Sequence, residues 1–526
     1  MENRTKGDND DTITEVSRRS NQHKPMPPDH ILKTLITKYY NLGFNDKKIH
    51  DYLVKEIDVE KYGVPGYTIA RRRKEWELLS VRKQGHTMES IHENVQALKQ
   101  RFPGMGAQSL KDSLRVWEGL QVPRTLLRDY LKTTEPEAVA ARRYRGKFKR
   151  YRFWCVGVND FWSFDQHDKW GPRFGLWLHV CIEPMSGKIL WLKIWWTNSN
   201  PRLIASYYLE AARALKGVPL VTQSDPGSEN YGIAHAHTFI RHRLDPSLEG
   251  TLQHRWMRNK MNIKPEIAWS QLRSNWAPGF EALLQSGVDQ GLYDPSDSLQ
   301  SLVFRWLVIP WLQRELDLYR FRTNSTQRRA KKTKVLPRGI PDLIFENPTM
   351  FSTCDFKVGV PAELFDEAER NWAPRDHVVF QLVPPGFQLH VSRIYSALGE
   401  PDVSYQTFWV VYRDILTGFY TLADHTAHEY QMLLQDISES TQAEKEAAEE
   451  RLQKPEGLHP VAQGAPVIGQ LPHGVRQIPL AELQGDISGD TGIEDGGAVG
   501  MEHDDEHYFV FSSDEEELDE NDPGMF

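Results

Sequence analysis

Phe161-Trp162-Ser163-Phe164-Asp165 is a short aromatic run that closes on an acid. Two further runs rich in aromatic and β-branched residues follow, over 176–183 and 189–196. They are set apart by Gly171-Pro172 and by Met185-Ser186-Gly187-Lys188, and short runs between such turns predict three antiparallel strands. Pro201 then opens a helix through Leu215, with Ile204, Tyr207, Tyr208, Ala211 and Leu215 on one face. Residues 218–222 predict a fourth strand, turned by Asp225-Pro226-Gly227, and helices are expected over 232–244, 262–274, 280–287 and 299–324. Three antiparallel strands, a crossover helix and a further strand make an α/β layer with helices on both faces.

Three acids stand out by position. Asp165 is expected at the end of the first strand, Asp225 at the end of the fourth and Glu266 near the start of a long helix. If the first and fourth strands are neighbours, a helix packed across their ends brings all three together. Clustered carboxylates raise one another's pKa unless cations fill the site. Hard oxygen donors suit Mg²⁺ or Mn²⁺, and two such ions ~3.5–4 Å apart serve phosphodiester displacement.

Working outward, residues 1–28 are polar and aperiodic and read as a disordered arm, and their start is not a signal peptide. Residues 29–135 are helical in spacing. Ile31, Leu32, Leu35, Ile36, Tyr39 and Tyr40 form one face, Gly43 marks a stop, and Asp46 can cap a second helix. Residues 66–76 form a third, densely basic through Arg71, Arg72, Arg73 and Lys74. A second set follows at 91–102, 109–120 and 123–131. Two such sets resemble helix-turn-helix DNA-binding modules; a plain helical bundle with a solvated basic face has the same pattern. The linker 136–155 carries Arg142, Arg143, Arg145, Lys147, Lys149, Arg150 and Arg152 between Tyr144, Phe148 and Tyr151. Such a strip can neutralise phosphates or serve as a nuclear-import signal.

The whole chain, 526 residues, has a formal net charge of −8. From Gln431 to Phe526 there are 23 Asp/Glu against 4 Lys/Arg, a net of −19, which leaves +11 on residues 1–430. The negative total therefore does not exclude a polyanionic partner. No apolar run reaches the ~18 residues of a membrane span, and Cys155, Cys181 and Cys354 make neither a disulfide framework nor a zinc ligand set. The chain is expected to be soluble and intracellular, with no membrane partner.

The blocks around the acids resemble the catalytic core of the DDE integrases and transposases, in particular the integrase core-domain family. They are Trp162-Ser163-Phe164-Asp165-Gln166-His167-Asp168-Lys169, Asn198-Ser199-Asn200-Pro201-Arg202, Gln223-Ser224-Asp225-Pro226-Gly227-Ser228-Glu229-Asn230, and Asn262, Glu266 and Trp269. The likeness runs from about Ile31 to Pro348. Two positions depart from it: Pro226 stands where Asn is usual, and Pro265 where an apolar branched residue is usual.

The resemblance implies an α/β, ribonuclease-H-like core at 156–330, after the helix-turn-helix units. From the residues alone, a small α+β module at 331–430 is expected to follow, with strand-like pieces at 378–382, 387–392 and 407–412. A mostly disordered acidic tail at 431–526 comes next, with one helix-prone stretch at 443–453. The resemblance also implies Asp165, Asp225 and Glu266 as catalytic and metal-binding, with two Mg²⁺ or Mn²⁺ ions and 40 residues between the last two acids. Asp168, Lys169, Glu229, Asn230, Asn262 and Trp269 would support them. The activity implied is metal-dependent DNA strand cleavage and transfer by a DDE polynucleotidyl transferase or nuclease, transposon-derived and nuclear. A domesticated DNA-binding or scaffold protein without the chemistry fits the same residues. His235, His237 and His242 read as surface or core histidines rather than metal ligands. A homo-oligomer is expected, and Tyr508-Phe509-Val510-Phe511 before Ser512, Ser513 and Asp514 suits a SUMO-like partner.

Overall fold

The computed structural model describes residues 24–143, 154–257, 262–328, 336–425 and 427–460. It divides into two compact units, up to Gly85 and from His86. The first is three-helical: α1 (Asp29–Asn41), α2 (Asp46–Glu56) and α3 (Gly66–Glu75). They enclose Leu32, Ile36, Tyr39, Ile49, Leu53 and Ile69. Asn45, rather than Asp46, caps α2 by accepting from the Lys48 amide. Nine residues, 57–65, join α2 to α3, more than the ~3–4 of a helix-turn-helix turn.

The second unit opens with α4 (Met88–Arg101), α5 (Ala107–Trp117), α6 (Arg124–Thr134) and α7 (Pro136–Arg143). A capping box between Thr87 and Ser90 starts α4. The sheet region runs β1 (Phe161–His167), the one-turn α8 (Gly171–Phe174), β2 (Trp177–Glu183), β3 (Lys188–Trp195), α9 (Pro201–Leu215), β4 (Gly217–Val218) and β5 (Val221–Ser224). It continues with α10 (Tyr231–Leu244), β6 (Thr251–Leu252), β7 (His254–Trp256), α11 (Ile263–Asn275), α12 (Ala277–Asp289) and α13 (Ser298–Ser325).

Five strands pair in the order β3-β2-β1-β5-β7. β2 is antiparallel to β1 and β3, whereas β1-β5 and β5-β7 are parallel. This is the α/β, ribonuclease-H-like arrangement, with the first and fourth long strands side by side as expected. β7 is a fifth strand that sequence patterning missed, and β1 runs two residues beyond Asp165, so this acid lies within the strand. In the β2–β3 turn, Gly187 adopts φ 73°, and the buried Glu183 carboxylate accepts from the amides of Met185 and Ser186 at 2.9 and 2.8 Å.

α13 covers the outer edge of β3. The Asn324 amide exchanges two 2.9 Å hydrogen bonds with the Ile189 backbone, and Gln313 bonds Ile194 N–H and Leu192 C=O at 3.1 and 3.0 Å. Two side-chain amides, three helical turns apart, thus satisfy an edge that would otherwise invite another chain. α5 docks on the same helix through Arg322 to Ser113 (3.2 Å) and the Trp117 indole to the Leu318 carbonyl (3.1 Å).

Beyond α13 the structure corrects the expected α+β module. Residues 336–425 are mainly helical: α14 (Pro341–Glu346), β8 (Val358–Gly359), α15 (Ala362–Trp372), α16 (Pro385–Ala397) and α17 (Phe408–His425). Their apolar residues join the core of the sheet region. Residues 387–392 and 407–412, rich in β-branched and aromatic side chains, read as strands. They lie in α16 and α17 instead, because Phe387 and Val391, and Phe408, Val411, Tyr412 and Ile415, are buried at helical spacing. The start of the expected disordered tail is also ordered: α18 (Ala427–Glu449) buries Leu433, Ile437 and Ala447, and β9 (His459–Pro460) pairs with β6. The Tyr508–Phe511 stretch lies outside the described residues. No described helix is long and apolar enough to cross a membrane.

Burial lowers the pKa of His179 and of His254 to about 3. The neutral rings are used: Trp191 donates to His179 Nδ1 at 2.9 Å, and His254 bonds the Thr222 and Ser224 hydroxyls. A depressed folded-state pKa gives stability that is present above the unfolded value near 6.5 and lost as pH falls towards the folded one. Urea titrations of wild type and His254→Gln should therefore converge on acidification. The wild-type advantage should shrink by about 1.4 kcal/mol per pH unit below ~6.5; a constant difference from pH 7 to 4 would contradict a neutral buried ring.

Candidate active site

The parallel pairing of β1 and β5 runs Phe161↔Val221, Trp162↔Thr222 and Ser163↔Gln223. Asp165 and Asp225 each stand two residues past the last of these pairs. Two residues along a strand restore the same face, so the two acids face the same way as Ser163 and Gln223, Asp165 within β1 and Asp225 one residue past the end of β5.

That polar pair anchors α11. Buried Asn262, at its N-cap, accepts from the Ser163 hydroxyl at 2.5 Å and the Gln223 amide at 3.4 Å, and donates to the Phe164 carbonyl at 2.8 Å. Helical spacing then puts Asn262, Glu266 and Trp269 on one side. The Trp269 indole donates to Asp165 Oδ2 at 3.1 Å and its ring stacks on His167 with centroids 5.1 Å apart. Pro265 fits because it occupies the third position of α11, where the backbone N–H has no intrahelical partner to lose.

The electrostatics match this geometry. Asp165 is pushed well above the usual carboxylate range by burial first, then by the charges of Glu266 and Asp225; the Trp269 and Gln166 hydrogen bonds oppose the rise. Burial also raises Asp225, whose Oδ1 is buried with no hydrogen-bond partner. The three acids therefore share one field. Among the described residues, no group of three His, Cys, Asp or Glu side chains is assembled closely enough to hold one ion.

The surrounding acids divide. Glu229 accepts from Gln166 and, at 3.0 Å, from Asn230, whose amide also reaches the Asp225 carbonyl at 3.2 Å. Its carboxylate folds into the space that a Cβ on Gly227 would fill. Asp168 lies past the end of β1, accepts from Asn198 at 2.7 Å and adds to the field of Glu229. Burial first, then the charges of the half-buried Arg273 on α11 and the exposed Lys169, lower the pKa of His167 to about 4. Arg273 was not singled out from sequence, although it continues the Glu266–Trp269 face by four residues. His237 is buried against the Tyr208 hydroxyl at 2.7 Å, and His235 and His242 bond backbone carbonyls.

Residues 153–346 match the family model of the integrase core domain. Over this segment the chain is similar to the integrase core domain. No curated protein matches the chain. The match covers all five strands of the sheet and the three acids, and it ends within the helices that follow α13.

The basic residues expected to meet DNA do not share one environment. Arg72 bonds Asp29 and Glu75 at 2.5 and 2.9 Å, and Arg73 is buried against Asp46 and the Leu78 carbonyl. Both hold α3 in place. Arg71 and Lys74 are exposed on α3, with Tyr67 72% exposed one turn before. Arg142 and Arg143 end α7, and Arg145, Lys147, Lys149 and Arg150 lie outside the described residues.

Asp165 has a raised folded-state pKa, so its ionised form costs the fold stability at neutral pH that is recovered as pH falls. Asp165→Asn should therefore raise the melting temperature of protein held in EDTA at pH 7.5, and the gain should vanish near pH 4. A lower melting temperature for the variant at pH 7.5 would show that the carboxylate stabilises the site instead.

Proposed function

We propose that the chain binds DNA and that its integrase core cuts and joins DNA strands with divalent cations. The supporting observation is the desolvated Asp165 beside an unpartnered Asp225 oxygen, level with each other on two parallel strands and under the helix of Glu266. Such oxygen donors fit a hard cation, which would relieve both the mutual repulsion and the orphaned lone pairs. Asp165 and Asp225 would hold one ion, and Asp165 and Glu266 a second. When bound, such ions lower the pKa of an attacking water or 3′-hydroxyl and take up charge on the leaving oxygen.

The chain's own residues supply position and charge. Trp269 fixes the rotamer of Asp165, and Asn262 fixes the helix that carries Glu266. Lys169 and Arg273 put positive charge at the rim, where a phosphodiester would lie. Residues 24–85 contain 13 Lys/Arg against eight Asp/Glu, and Tyr67, Arg71 and Lys74 give α3 an exposed face suited to duplex DNA. The basic residues from Arg142 to Arg152 suit phosphate binding and nuclear import, and a nuclear location belongs to the same reading.

Labelled duplex DNA incubated with the full chain and Mn²⁺ should be nicked or joined. Asp165→Asn, Asp225→Asn and Glu266→Gln should each lower the rate at least about a hundredfold while leaving DNA affinity within a few fold. Equal binding by all four proteins with no turnover by any would favour the domesticated scaffold.

The α3 residues should separate in a second assay. Arg71→Ala and Lys74→Ala should each weaken DNA binding and lower the slope of log K against log salt by about 1. Arg73→Ala should instead lower the melting temperature of the N-terminal unit. Unchanged salt slopes for Arg71→Ala and Lys74→Ala would remove α3 from the interface.

A further inference from the structure

The start of α9 holds a carboxylate that belongs to the far end of the chain. Arg202 Nε donates to Glu450 Oε1 at 2.7 Å, the Asn200 amide to Oε2 at 3.0 Å, and His377 Nε2 lies 3.1 Å from the same oxygen. Buried Asn200 also caps α9, accepting from the amides of Arg202 and Leu203, and donates to the Ala447 carbonyl at 2.5 Å. Three donors from two parts of the fold thus converge on one anion at a helix N-terminus, where the backbone dipole adds positive potential.

Topology places this site on the reactive side of the sheet. β3 is parallel to β1, since both are antiparallel to β2, so α9 starts from the same sheet end as Asp165 and Asp225. α10 starts there too, directly after the Asp225–Asn230 turn. The segment after Glu450 leaves that rim and runs along α10 towards the opposite end of the sheet, where β6 precedes the start of β7. Arg451 lies in the field of Glu229, the Gln453 carbonyl meets the His235 ring at 2.8 Å, and His459 pairs beside Thr251. Upstream, Glu444 makes a two-pronged ion pair with Arg305. The stretch 427–460 carries eight acids and three bases. The Arg202–Glu450 pair is partly exposed, at 22% and 26%, and such pairs exchange readily with other ions.

We propose that Asn200, Arg202 and His377 form a binding site for a backbone phosphate of the nucleic-acid substrate. Glu450 fills it as an internal phosphate mimic, which makes residues 447–453 a strap that DNA displaces. The proposal rests on the DNA reading above and adds a named phosphate site and an autoinhibitory contact to it.

The test measures binding of a labelled duplex by anisotropy in EDTA, which keeps it apart from turnover. Glu450→Gln should bind roughly three- to tenfold more tightly at low salt, with a salt slope steeper by about 1. The double variant Glu450→Gln/Arg202→Gln should lose both gains. A second arm uses the wild-type chain: saturating duplex should open the trypsin site at Arg451, before Leu452. Wild-type affinity in Glu450→Gln, a gain that survives Arg202→Gln, or unchanged cleavage at Arg451 with DNA bound would each overturn the proposal. No duplex binding by any form would instead sink the DNA reading itself.

Discussion

The parallel pairing of β1 with β5 is the constraint on which the rest of the site depends. Its register sets Asp165 and Asp225 at one level and on one face, two residues beyond the paired Ser163 and Gln223. A slip of one residue would turn one acid to the opposite face. The buried Asn262 side chain guards against that slip, because it bonds both strands and begins the helix that bears Glu266 and Trp269. One polar residue therefore couples strand register to helix position.

The cost of this geometry is electrostatic. A sheet buried on both faces would be most stable with apolar residues at these positions, yet one carboxylate lies within β1, one just past β5, and a third above them. Burial and mutual repulsion raise Asp165, and one indole hydrogen bond only partly offsets the rise. Sites that retain groups at the expense of the fold are where function is sought. The neighbouring acids show the contrast: Asp168 and Glu229 have amide partners of their own, whereas one Asp225 oxygen has none.

Much of the core was legible in the sequence. The aromatic strands, the Met185–Lys188 turn and the Asn200-Pro201 helix start carry strong local signals, and the three acids sit in distinctive blocks. What was missed has physical reasons. β7 has only three residues, too few for a pattern of two to appear. The apparent strands at 387–392 and 407–412 are rich in residues that favour sheets, but their burial follows helical spacing once α13 and α18 pack against them. The acidic composition of 431–449 concealed an apolar stripe on Leu433, Ile437 and Ala447. The run Arg71–Lys74 reads as one basic patch, although two of its four members are spent on Asp29, Glu75 and Asp46 inside the N-terminal unit.

The central claim is that the β1–β5 register builds a cation site for phosphodiester chemistry. Anomalous diffraction at the manganese edge, on crystals of the full chain grown with Mn²⁺, tests it most directly. The account predicts an ion about 2.0–2.3 Å from carboxylate oxygens of both Asp165 and Asp225, with Glu266 drawn towards it. Crystals that hold Mn²⁺ elsewhere, with Asp165 and Asp225 uncoordinated, would contradict it.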